Sequence, residues 1–340
     1  MAIPSTGVYA TAYLNLTSFL VLQPTHAEIS AVEALHDGYI VAGLRDGRVI
    51  SAAPSPPGTT TYNVPLATAT AAGIPIPSSS GLKLPVMVGE KGCYWSTITV
   101  RGTPGHGSQP WRTDNALVKA AEVVRRIAGY APATDINDVW RRFVGGVDLP
   151  EDLSRALLSP DAFMGAIEGL PIGIARQFHA CTHTTFSPNI VHGGSKINTI
   201  PDSVDLQVDI RTLPGQTAED VEGQLREAVG DLADDVTFTA SAYDAASASP
   251  IDTPLWDVLT RASARFYEDS QTVPMLIVGA TDARFFRRLG ATAYGYGLFS
   301  RNLSFEDYST MFHGDDERVD QESLGLSTEL WQVVARELLG

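Results

Sequence analysis

The sequence predicts an α/β protein in which a small α+β unit, near residues 97–212, interrupts a larger α/β unit. Three observations carry this. Residues 204–211 alternate strictly, with Val204, Leu206, Val208 and Ile210 on one side and Asp205, Gln207, Asp209 and Arg211 on the other. That is the pattern of an antiparallel strand with one covered face and one open face. Beyond Thr212, helical and strand patterns take turns, as a sheet layered with helices requires. Finally, 340 residues with 44% hydrophobic content suffice for two domains, or for one large domain with an insertion.

The elements follow in order. Residues 1–72 are atypical and read as weakly structured, because 51–72 is mostly Ala, Pro, Ser and Thr, a composition of turn formers without period. Pattern returns at Gly73. Residues 94–101 are aromatic and β-branched, hence a strand. A Gly- and Pro-rich loop over 102–110 precedes a helix to Tyr130, with Thr113 and Asp114 as N-cap candidates and Leu117, Ala121, Val124 and Ala128 on its apolar face. Residues 136–171 lean helical and are rich in loops, and 186–191 is a strand. Thr217 and Asp220 resemble a capping box for a helix carrying Val221, Leu225 and Val229. Strands at 236–240, 273–278 and 291–298 then alternate with helices at 254–267, 282–289 and 323–339. The expected organisation is 1–72 as an atypical segment, 73–96 with 213–340 as the larger α/β domain, and 97–212 as the inserted unit.

Composition excludes several function classes. A net charge of −15, without any cluster of Lys and Arg, leaves no surface for nucleic acid. Residues 8–22 are apolar, but the first basic residue is Arg45 and Asn15, Thr17 and Ser18 interrupt the run, so neither a signal peptide nor a membrane span is expected. Cys93 and Cys181 stand 88 residues apart, with no ligand or disulfide spacing. The expected location is cytoplasmic.

Three motif groups point to chemistry. They are GEKG at 89–92 with TPGHGSQP at 103–110; HGGSKINTIPDSVDLQVDIR at 192–211; and GATDARFF at 279–286 with MFHGDDERV at 311–319. In this order and at these distances they resemble the zinc-dependent family of aminoacylases, acetylornithine deacetylases, succinyl-diaminopimelate desuccinylases and glutamate carboxypeptidases, over about residues 73–340. The resemblance implies an amide hydrolase acting on N-acyl amino acids or short peptides, with two zinc ions in the larger domain. It also implies an inserted lid domain that makes a homodimer.

Site residues carry over by motif. His106 matches the lid histidine that reaches the partner subunit's site and polarises the scissile carbonyl; the alternative is a loop histidine satisfied by backbone. Asn198 and Arg211 match lid residues that hold the substrate carboxylate, a task suited to a planar guanidinium; the alternative for Arg211 is an ion pair with Asp209 or an acid of a neighbouring strand. Gly279, Thr281 and Arg284 belong to a strand-to-helix turn whose N–H groups favour anions. His313 matches a zinc ligand.

The front of the chain departs from the family pattern. The resemblance implies an HxD, a bridging Asp, and a Glu pair that supplies a general base and a ligand. Between residues 47 and 89 there is no Asp, Glu or His, and Ser, Thr, Pro and Ala are poor substitutes as ligands for a borderline dication. The expectation is therefore an amide hydrolase by family, impaired or inactive as a catalyst. The alternative is a non-catalytic dimerising partner or a carboxylate-binding pseudoenzyme.

Overall fold

The computed structural model of the chain describes residues 73–304 and 318–339, together with four short strands at 11–14, 18–21, 40–43 and 49–52. Two compact units emerge. One comprises residues 1–90, 136–179 and 247–340, and the other 91–135 and 180–246.

The strands of the larger unit are β1 (Thr11–Leu14), β2 (Ser18–Val21), β3 (Ile40–Gly43), β4 (Val49–Ala52), β5 (Ile76–Ser78) and β6 (Gly81–Glu90). The smaller unit contributes β7 (Gly92–Arg101), β8 (Gly105–His106), β9 (Thr185–Gly193), β10 (Thr199–Ile200), β11 (Ser203–Thr212) and β12 (Val236–Asp244). The larger unit resumes with β13 (Ser247–Ala248), β14 (Ser270–Ile277) and β15 (Ala293–Gly295). Helices are α1 (Ala116–Ala128), α2 (Asp138–Gly146), α3 (Glu151–Leu157), α4 (Pro160–Glu168), α5 (Ile172–Thr182), α6 (Ala218–Val229), α7 (Pro254–Ala264), α8 (Ala283–Arg288) and the C-terminal helix Gln321–Leu339.

Strand β6 organises the larger unit. It pairs in parallel with β14 on one side, and antiparallel with β5, β15 and β13 along the other. The β1–β2 hairpin extends the sheet beyond β15, while β3 and β4 pair separately. Leu84, Val86 and Val88 alternate onto one face of β6, where Leu255, Val258 and Leu259 of α7 and Leu330, Trp331 and Val334 of the C-terminal helix cover them. β14 is buried from Val273 to Ile277, as a strand covered on both faces must be. Its second cover is α2. A Cβ on Gly146 would stand 2.8 Å from Val273 Cγ1, so only glycine lets that helix end approach the strand so closely.

In the smaller unit β12, β7, β11 and β9 form an antiparallel sheet in that order. Val204, Leu206, Val208 and Ile210 are buried on one face against Ala116, Ala120, Val123 and Ile127 of α1 and Val221, Leu225 and Val229 of α6. The alternation read from 204–211 thus sets the covered face. The capping box at the start of α6 is present, with Thr217 Oγ1 accepting from Asp220 N and the Asp220 carboxylate accepting from Thr217 N.

Three expectations are corrected. The smaller unit does not run from 97 to 212. Residues 91–96 belong to it because β7 pairs with β11 along its whole length, and 213–246 belong to it because β12 pairs with β7 and α6 covers its sheet. Residues 136–179 belong instead to the larger unit, where Trp140 gathers Phe143, Phe163 and Phe178 at ring-centroid distances of 4.9–5.8 Å. Helix α1 is capped by Asn115, whose side chain accepts from Leu117 N. Its buried face is therefore one residue out of phase with the expected one, and Leu117 is exposed. The expected weakly structured segment 1–72 falls mostly outside the described residues.

Candidate functional site

In the smaller unit, β8 and β10 lace two loops together, with His106 opposite Thr199. Gly107 N donates to the Asn198 carbonyl at 2.8 Å. A Cβ at position 107 would stand 3.0 Å from the Asn198 carbonyl carbon, so the close approach depends on glycine. His106 and Asn198 are thereby brought side by side, both exposed. The Ser108 N–H donates to His106 Nδ1 at 3.2 Å, and the Ser108 hydroxyl lies 2.7 Å from the same atom. With Nδ1 accepting, the neutral ring carries its proton on Nε2, as a donor to an approaching carbonyl must.

These loops differ from the rest of the chain. Residues 101–112 and 189–200 contain no Asp or Glu, but hold Arg101, Arg112, Lys196, His106 and His192. Trp111 is 79% exposed and Ile197 is fully exposed. Arg112, at φ 57°, holds its guanidinium 4.4 Å from the Trp111 ring centroid.

Arg211 lies on the open face of the sheet. Its Nε and Nη2 donate to the two oxygens of Asp209 at 2.7 and 3.0 Å, and Trp95 Nε1 donates to the same carboxylate at 3.2 Å. The ion pair with Asp209 weighed in the sequence is thus present. It occupies one edge of the guanidinium, and Nη1 makes no hydrogen bond among the described residues.

In the larger unit, the 279–281 turn leaves the carboxyl end of β14, directly after Ile277, which registers with Glu90 at the end of β6. Thr281 is buried, and its N–H donates to a Glu90 carboxylate oxygen. The other oxygen accepts from Arg287 Nη1 at 2.9 Å and from Ser247 Oγ at 3.0 Å. Here the anion at the turn is the chain's own. Burial raises the Glu90 pKa against the opposing pull of Arg287 and Thr281, and burial likewise lowers that of Arg287. Arg284 stacks 5.0 Å from the Phe285 ring centroid within the short helix α8. His313 lies outside the described residues.

Next to Glu90, Lys91 turns to the other unit and is also buried. Its Nζ donates to the His183 carbonyl at 2.7 Å and to Thr185 Oγ1 at 3.2 Å. Burial lowers its pKa to about 7. Sequence reasoning quoted GEKG and gave its two charges no role. The available signal was their position between two apolar strands, where an unpaired charge is rarely tolerated.

Comparison with known proteins bears on this arrangement. Residues 88–237 match the family model of the M20-type peptidase dimerisation domain. Over this segment the chain is similar to a peptidase dimerisation domain. The resemblance read from the motifs is shown over it, and β7, β8, α1, β9, β10, β11 and α6 all fall within it. The chain is 27% identical over 262 residues to the N-fatty-acyl-amino acid synthase/hydrolase PM20D1 of Xenopus tropicalis, covering 74% of this chain and 49% of that protein. It is 22% identical over 234 residues to mouse aminoacylase-1, covering 68% and 48%. The chain thus spans about half the length of the curated relatives it matches. In fold it resembles the di-peptidase Dug1p of Saccharomyces cerevisiae, with a TM-score of 0.51 at 13% identity, over 78% of this chain and 57% of that one. Human carnosine dipeptidase 1 gives 0.50 at 11%, over the same shares.

Among the described residues, no group of three or more His, Cys, Asp or Glu is arranged to hold a metal ion, and no helix is long and apolar enough to cross a membrane. His313, matched to a zinc ligand by the resemblance, and most of the front segment lie outside the residues so searched.

Proposed function

We propose that this chain is an amide-hydrolase subunit of the metallopeptidase type, directed at N-acyl amino acids or short peptides and dimeric through its dimerisation domain. In this reading it is catalytically impaired on its own. The observation that carries it is the laced His106–Asn198 loop pair within the matched dimerisation segment. His106 presents an Nε2 donor suited to a carbonyl oxygen gaining charge. Asn198 and the unused edge of Arg211 suit the substrate's carboxylate. The hydrolase names of the relatives support the reaction class. A cytoplasmic location belongs to the same reading, supported by the acidic composition and by two cysteines, both buried, at no disulfide spacing.

The second reading is a non-catalytic partner that dimerises and binds carboxylates. The run without Asp, Glu or His from 47 to 89 favours it, because a hydrolytic zinc needs about three protein ligands and a base. Solution mass, zinc content and turnover of N-acyl amino acids test both. A dimer with sub-stoichiometric zinc and negligible turnover is expected. Two zinc ions per chain with turnover would overturn the impairment, and a strict monomer would remove any role of His106 in trans.

A further inference from the structure

One end of the sheet in the smaller unit gathers two cations around one carboxylate. Cys93 of β7 and Thr185 of β9 stand opposite Arg211 on either side of β11, so their side chains share its face of the sheet. Lys91, two residues before Cys93 along the extended chain, emerges on that face too. Its bonds to the His183 carbonyl and to Thr185 Oγ1 fix its ammonium beside the residue that registers with Arg211. Arg211 and Asp209 of β11 and Cys181 at the end of α5 act on it electrostatically. Cys93 shares its side of β7, and the His183 ring is turned to Thr134 and Thr182, with Oγ1 atoms 3.0 and 2.9 Å from its nitrogens. The neighbouring Glu90 carboxylate is taken up by Thr281, Arg287 and Ser247.

Among the described groups that act on Lys91, Asp209 is the one carboxylate, and both its oxygens are engaged by Arg211. Two cations and one anion leave a positive charge uncompensated, on the face where Arg211 Nη1 is unused. We propose that Lys91 is a positioning residue of the Arg211 site, whose buried ammonium supplies the second positive charge that holds a carboxylate on the free edge of the guanidinium. This rests on the functional reading above for the ligand, and on the hydrogen bonds and strand register for the pairing of the two cations. Burial has already brought the Lys91 pKa down to about 7. An anion arriving at Arg211 favours the charged lysine and draws a proton onto it, so binding and protonation strengthen each other.

The test uses the full chain and N-acetylmethionine, whose binding is followed by calorimetry between pH ~6 and ~9, where its carboxylate stays ionised. Affinity should fall about threefold or more across this range as Lys91 gives up its proton. Lys91→Met should show the weaker, high-pH affinity at both ends, and Lys91→Arg, charged throughout, the tighter one. Should either variant fail to fold, the Lys91 Cε chemical shift in the wild-type chain gives a second readout, because bound ligand should raise its titration midpoint. A pH profile as steep in Lys91→Met as in the wild type, or a midpoint that the ligand leaves unmoved, would overturn the proposal. So would an affinity that Lys91→Met lowers by the same factor at every pH, the mark of a structural lysine. A wild-type chain that binds no N-acetylmethionine would sink the functional reading instead. Arg211→Ala then judges the pairing alone: loss of the neighbouring cation should raise the Lys91 midpoint, and an unmoved midpoint would refute it.

Discussion

Lys91 Nζ lies 2.7 Å from the carbonyl oxygen of His183, in a buried position one residue away from buried Glu90. Successive residues of an extended chain point to opposite sides. At this junction the alternation sends an anion into one compact unit and a cation into the other.

The Lys91 pair makes stability depend on pH. Its folded pKa, about 7, lies well below the ordinary lysine value of about 10.4. The unfolded chain therefore binds more protons between these values, and stability rises with pH. The contribution is complete above the unfolded value and is lost as pH falls through the folded one. Urea midpoints should climb from pH ~7 to ~9.5, with a slope of at most about 1.4 kcal/mol per pH unit from this group. Lys91→Met should flatten that climb. An unchanged slope in the variant would refute the assignment.

Leu206 is fully buried between the sheet and helices α1 and α6. Leu206→Ala should cost about 2–5 kcal/mol of unfolding free energy in the smaller unit, read by urea titration. Gln207, its exposed neighbour on the same strand, should tolerate alanine within about 0.5 kcal/mol.

Arg211→Ala should separate binding from stability. The ion pair with Asp209 is partly exposed, its side chains retaining 24% and 32% of their accessibility, so its loss should cost no more than about 1 kcal/mol. Calorimetric affinity for an N-acyl amino acid should fall about tenfold or more if the guanidinium grips the carboxylate. Indifferent binding would leave Arg211 with its ion pair to Asp209 and no role in binding.

Much of the smaller unit was legible because its signals are local and periodic. The 204–211 alternation and the Thr217–Asp220 box each name their own structure. The phase of α1 was harder, because apolar residues lie on both sides of its buried stripe and only the Asn115 cap sets the start. Strand β6 escaped notice. It carries Pro85 in its middle, where proline argues against a central strand, and only tertiary pairing with β14 reveals it. The unit boundaries were misplaced for a similar reason. Nothing local in 136–179 says that Trp140 and Gly146 serve the larger unit. At the site, the juxtaposition of His106 and Asn198 follows from motifs, whereas the buried bonds of Glu90 and Lys91 depend on partners far away in sequence.

The acid-free loops of residues 101–112 and 189–200 have a consequence for encounter. A chain of net charge −15 repels anions at a distance, yet these loops carry only basic charges. Uneven charge of this kind gives the smaller unit a preferred orientation toward an anion before contact is made. That guidance reaches only about 8 Å at physiological ionic strength and shortens as salt is added. A carboxylate ligand of the proposed kind would thus be led to the His106 end in dilute buffer, and would have to find it by unguided collision in concentrated salt.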